Sequence, residues 1–153
     1  MLIADLYNPI VFTVEDNATV KETLDTFLKK HVNGLVVVSH KNPKKVVGVV
    51  SLQDMAAAVL PQQFQDNNRI AMAMYKKGFF TNQCQELKSK KVSSIMRKDF
   101  TDVNLKDNIM AVMADFLEND LYIVPVIEKN KLIGIINRGQ IRDALEYGMR
   151  ELK

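Results

Sequence analysis

Between Val20 and Leu28 the apolar residues fall at Val20, Leu24, Phe27 and Leu28. This i, i+4, i+7, i+8 stripe predicts a helix that lays one face on a sheet. The runs LVVVS and VVGVV follow, short, β-branched and separated by polar turn residues, so they predict two strands close enough for a hairpin. Ninety or so residues on, the same signals return. Ile109, Met113, Phe116 and Leu117 repeat the stripe, and IVPVIE and LIGII repeat the two strands. A further helix is predicted after each hairpin, over about Gln53–Leu60 and Gln140–Arg150. Thr19 and Asn108, both good N-cap residues, stand just before the two stripes, and Thr19-x-x-Glu22 has the spacing of a capping box.

The chain therefore repeats itself. Residues 3–39 lie over residues 92–128 at a constant offset of 89, which sets Ile3 on Val92, Leu6 on Ile95 and Val14 on Val103. After a longer turn in the first copy, SHKNPKK against EKNK, the register resumes at 86, with VVGVV over LIGII. Each copy reads strand, helix, strand, strand, helix, too few elements to bury a sheet alone. Two copies packed about an approximate two-fold axis would share a core and leave grooves between them, where small molecules commonly bind. The predicted fold is thus α+β, with residues 1–60 as the first repeat, 61–91 as a helical insert or linker, and 92–153 as the second repeat.

The insert follows from neither copy. Pro61 stops the preceding helix, Ile70, Met74 and Tyr75 have helical spacing within Asp66–Lys77, and Gly78 offers a helix end. Met72, Met74, Phe79 and Phe80 either pack on the module or serve a partner.

Composition narrows the class. With 47% apolar residues the chain has material for a core and is not a disordered segment. No run approaches the roughly 20 apolar residues of a membrane-spanning helix, and MLIADLYNP has neither the basic start nor the apolar stretch of a leader. A cytoplasmic location is the expectation. The net charge of +3 comes from 21 basic and 18 acidic residues spread along the chain, without aromatic interleaving, so nucleic acid is not the expected partner. The single cysteine, Cys84, forms no internal disulfide, and His31 and His40 lack the neighbours that would complete a metal shell. No nucleophile–base set and no phosphate loop stands out, so an enzyme is not predicted.

Four segments carry a family resemblance: Val92-Ser93-Ser94-Ile95-Met96, Val124-Pro125-Val126-Ile127, Leu132-Ile133-Gly134-Ile135-Ile136, and Gly48-Val49-Val50-Ser51-Leu52-Gln53-Asp54. In this order the chain resembles a tandem pair of cystathionine-β-synthase-type (CBS) domains, the Bateman module. The resemblance implies a regulatory module that senses an adenine nucleotide such as AMP, ADP or ATP as ligand, without a catalytic cofactor. It also implies homodimers and action on a separate effector protein.

On chemistry alone Ser51 and Asp54 read as a helix cap and its first-turn acid. The resemblance adds a ligand role: Asp54 for the ribose hydroxyls, Ser51 and nearby N–H groups for a phosphate. By the same resemblance the base would lie near Val11 to Thr13 and near Gly34, Leu35 and Val36, and phosphate contacts would come from Arg138, Tyr122 and Ile123 of the opposite repeat. Arg138 reads equally well as a solvent-exposed side chain. The second copy has Asn137 and Gln140 where the first has Ser51 and Asp54, and an amide lacks the charge that strengthens such bonds. One good site is expected. The alternatives are another adenosyl ligand (S-adenosylmethionine or a cyclic dinucleotide), or a protein- or nucleic-acid-interaction module with a vestigial cleft.

Overall fold

The structure is a computed structural model in which residues 1–65, 67–73, 76–119 and 123–150 are described. The first repeat contributes β1 (Thr13–Glu15), α1 (Val20–Lys30), β2 (Gly34–Val38), β3 (Val46–Ser51) and α2 (Leu52–Val59). The insert contributes α3 (Gln62–Gln65), α4 (Asn68–Ala73) and α5 (Phe79–Leu87). The second repeat follows with α6 (Ile109–Asn119), β4 (Ile123–Glu128), β5 (Lys131–Asn137) and α7 (Arg138–Arg150).

Both N-caps form as the sequence predicts. The Thr19 hydroxyl accepts the N–H of Glu22 at 3.1 Å, and the Asn108 side chain accepts those of Met110 at 2.9 Å and Ala111 at 3.3 Å. In the first sheet β2 is central, parallel to β1 and antiparallel to β3; in the second, β4 and β5 form an antiparallel pair. The first strand predicted for the second repeat shrinks to a parallel bridge between Val103 and Val126. It keeps two ladder bonds, Val103 N–H to Pro125 at 3.0 Å and Ile127 N–H to Val103 at 2.8 Å.

Strand alternation distributes the side chains among three cores. Leu35, Val37 and Val50 enter the core of the first repeat, and Val124, Val126 and Ile136 that of the second. The alternate residues Val36, Val38, Val49, Ile123 and Ile135 meet one another in a third cluster that joins the repeats. A sheet buried on both faces needs continuous apolar strands, which explains why LVVV is not diluted with polar residues.

The repeats also exchange their leading segments. Ile3 is fully buried in the second repeat's core, and Val92 is fully buried in the first's. Each segment is tied down by equivalent bonds: Ile3 N–H to Asp107 and Val92 N–H to Ala18, both at 2.8 Å. Further along, Asn8 bridges Ile135 and Arg97 bridges Val49. A Cβ added at Gly134 would come within 2.4 Å of Tyr7 and 2.6 Å of the Asn8 carbonyl; at Gly48 it would come within 2.7 Å of the Arg97 carbonyl. These two glycines hold equivalent places and allow the exchanged backbone to approach.

The insert departs from its prediction. Three helices form, the middle one covering only Asn68–Ala73 of the predicted Asp66–Lys77; Asp66, Met74 and Tyr75 lie outside the described residues. Gly78 does not end a helix: at φ +81° it stands before α5 as its N-cap. Phe64 and Phe79 line a groove against α1 and α2, while Met72 and Phe80 are largely exposed.

Candidate functional site

Two sheet ends and two helix starts meet where the repeats face each other. Ser51 closes β3 and caps α2, and Asn137 closes β5 just before α7. Between them opens a cleft of about 840 Å³, within the range of small-molecule sites. The first repeat lines it with Ile10, Phe12, Gly34 and Ser51 to Gln53; the second with Ile123, Ile135, Asn137 to Gly139, and Arg142. Of the residues expected at a ligand site, Ser51, Gly34, Ile123 and Arg138 are thus brought together.

The cleft is lined by both apolar and cationic residues. Phe12 lines it, and the Lys30 ammonium lies 5.1 Å from the centre of that ring, a cation–π distance. Arg138 and Arg142, one helical turn apart on α7, line the opposite wall, and His31 joins the first repeat's side. No Asp or Glu lines the cleft among the described residues. The N-termini of α2 and α7 both open onto it, adding the partial positive charge of two helix starts.

Asp54, expected at a ribose, does not line this cleft. Its Oδ2 accepts the Ser51 N–H at 2.8 Å and the Ser51 hydroxyl at 3.1 Å, while its own N–H donates to Ser51 Oγ at 3.3 Å. Its Oδ1 faces the Arg97 guanidinium, Nε at 3.4 Å, with side-chain exposures of 12% for Asp54 and 30% for Arg97. Arg97 also donates through Nη1 to the Asn119 carbonyl. The carboxylate therefore closes a cap and anchors the second repeat's leading segment, and it does not line the cleft.

The other expected positions are placed as follows. Leu35 and Val36 are fully buried in the central strand, one in each of two cores, and their neighbour Gly34 lines the cleft. Within the expected stretch Val11 to Thr13, Phe12 lines the cleft together with Ile10, while Val11 packs on the core between the repeats and Thr13 is exposed on β1. Tyr122 lies outside the described residues. Residues that sequence reasoning missed are Asn8, His31, Asn33 and Arg142. For Arg142 a signal existed: it lies four residues after Arg138, and both fall on one face once α7 is seen to begin at Arg138 rather than Gln140.

In the second repeat the cap is reproduced without charge. The Asn137 N–H donates to Gln140 Oε1 at 2.9 Å, and the Gly139 N–H to Asn137 Oδ1 at 2.8 Å.

The pattern of the CBS domain family matches residues 3–61 and 92–147, the two repeats in full register. The chain belongs to the CBS domain family. Its fold is the α+β tandem CBS pair, and solved CBS-pair structures superpose on nearly its whole length. CBSX2 of Arabidopsis thaliana, solved in complex with AMP, is 25% identical with a TM-score of 0.67, covering 96% of this chain and 98% of that one. ATU1752 of Agrobacterium tumefaciens is 20% identical with a TM-score of 0.72, covering 95% and 99%. MJ1232 of Methanocaldococcus jannaschii is 29% identical over 132 residues, 86% of this chain and 35% of that protein. This CBS pair thus spans about a third of the length of that curated relative. No helix among the described residues is long and apolar enough to cross a membrane.

Proposed function

We propose that this CBS pair is a regulatory module, not an enzyme, and that it binds an adenine nucleotide in the cleft between its repeats. The observation that carries the reading is the lining of the cleft: apolar Ile10, Phe12, Ile123 and Ile135, cationic Arg138 and Arg142, and no acid among the described lining residues. A nucleotide calls for both kinds of group, for its flat base and its anionic phosphate. Ser51, Gln53 and Asn137 supply neutral hydrogen-bonding groups for the ribose between them. CBSX2, similar over nearly its full length, is solved with AMP bound, which supports the same ligand class here.

The charge of the cleft also ranks the alternatives. S-adenosylmethionine brings a sulfonium cation to a wall of guanidinium groups, whereas AMP, ADP and ATP bring anions. A ligand spanning Phe12 and Arg138 touches both repeats, so it favours one angle between them over another. That preference is what a partner, or a second copy of the chain, would read.

Isothermal titration with AMP, ADP, ATP and S-adenosylmethionine tests the reading. Saturable binding of at least one nucleotide is expected, weakened by salt and weakened roughly tenfold to a hundredfold by Arg138→Ala, the effect of losing a hydrogen bond to a charged group. Absence of nucleotide binding, or tighter binding of the sulfonium compound, would overturn it.

A further inference from the structure

On the other side of α2 lies a second cavity, of about 660 Å³, open to solvent between α1, α2 and the insert. Its wall is mostly apolar, built from Leu24 of α1, Met55 and Val59 of α2, Phe64 of α3 and Phe79 of α5. Polar groups gather at one place, where α1 begins and α5 ends. Lys21, Gln85 and Lys88 line the cavity there. The Lys21 N–H donates to the Lys88 carbonyl at 3.1 Å, so the two lysines are adjacent, and Lys88 Nζ donates to Gln85 Oε1 at 2.6 Å. Lys21 also pairs with Asp25, an exposed residue that does not line the cavity. No Asp or Glu lines it among the described residues.

We infer that this cavity binds a single-chain anionic amphiphile, a fatty-acid-type carboxylate. The volume is that of a small-molecule site, and the wall lacks the scattered hydrogen-bonding groups a polar ligand needs. An apolar chain lies against the Leu24, Met55, Val59 and Phe64 side of the cavity. The carboxylate meets the two ammonium groups, where a neutral head would find no charge to offset its loss of water. The nucleotide cleft plays no part in this argument beyond sharing the α2 residues Leu52 and Ala56 as a common wall.

Titration of the whole chain with carboxylates from octanoate to tetradecanoate, and with dodecanol, tests the inference. Affinity is expected to rise about fourfold per methylene until the tail fills the cavity, the increment for burying one CH₂. Dodecanoate should bind several-fold tighter than dodecanol. The double variant Lys21→Gln/Lys88→Gln should erase that preference and leave dodecanol binding unchanged, with an unaltered circular dichroism spectrum showing that the fold persists. Three results would overturn it: no saturable binding of any chain length, equal affinity for acid and alcohol, or a self-association in sedimentation that covers the cavity and that dodecanoate does not displace.

Discussion

The two repeats close their hairpins with related caps, yet among the described residues only one cap pairs with the other repeat's leading segment. The Ser51 N–H donates to Asp54 and the Asn137 N–H to Gln140, but the side chain of Ser51 accepts the Asp54 N–H whereas that of Asn137 accepts the Gly139 N–H. Asp54 has charge to spare and draws in Arg97 from the opposite leading segment. Gln140 has none, and the residue equivalent to Arg97 is Asn8, whose side chain accepts the Ile10 N–H instead. Two differences, Asp54 against Gln140 and Arg97 against Asn8, therefore separate the ion-paired junction from the uncharged one. At the latter Arg138 and Arg142 face the cleft.

The strongest test of this comparison is the exchange on which both junctions rest. Ile3→Ala removes a fully buried side chain that leads the first repeat in sequence and fills the core of the second. It should cost about 2–5 kcal/mol in urea unfolding, the range for such truncations. A loss under 1 kcal/mol would mean the segment is only loosely seated. Next in size, Asp54→Ala strips Arg97 of its charged partner and should cost about 1.5–3 kcal/mol. Gln140→Ala, which loses a neutral cap only, should cost about 1 kcal/mol or less. Equal losses in the two variants would show that the Arg97 pair contributes nothing.

The smallest effect concerns how each repeat secures the turn after its first strand. In the first, Asp16 Oδ1 accepts the His40 backbone N–H at 3.0 Å and lies 2.7 Å from the His40 ring. In the second, Glu128 accepts the Leu105 N–H at 2.8 Å. The side-chain hydrogen bond from His40 holds the Asp16 carboxyl below its ordinary value of 3.8. A depressed folded-state value means a stabilising contribution that is complete above the unfolded value and disappears as pH falls through the folded one. His40→Ala should therefore lower the melting temperature slightly at neutral pH and lose that effect as pH falls below the ordinary carboxyl value, as scanning calorimetry at pH 3 to 7 would show.

Local signals were readable in the sequence, and contacts across the repeats were not. The stripes from Val20 and Ile109, the caps at Thr19 and Asn108, and the hairpin strands follow from periodicity and capping chemistry, because each depends on near neighbours. The Asp54–Arg97 pair joins residues 43 apart, and nothing local marks it. The exchange of Ile3 and Val92 was hidden for a similar reason: both were visible as equivalent apolar positions, but self-comparison does not say which repeat each one fills. Phe12 falls inside the stretch Val11 to Thr13 expected near a ligand, but which of its side chains line the cleft depends on packing between the repeats, which no local pattern shows. In the insert, the helix expected within Asp66–Lys77 is described over Asn68–Ala73, and the helices α3 and α5 that flank it had no periodic stripe to announce them.

The crossing of the two leading segments gives the molecule a topology unlike two beads on a string. A protease cut between α3 and α5 would sever the chain without freeing either piece, since each carries a plug seated in the other. Expressed alone, either half would present a vacant socket at its centre.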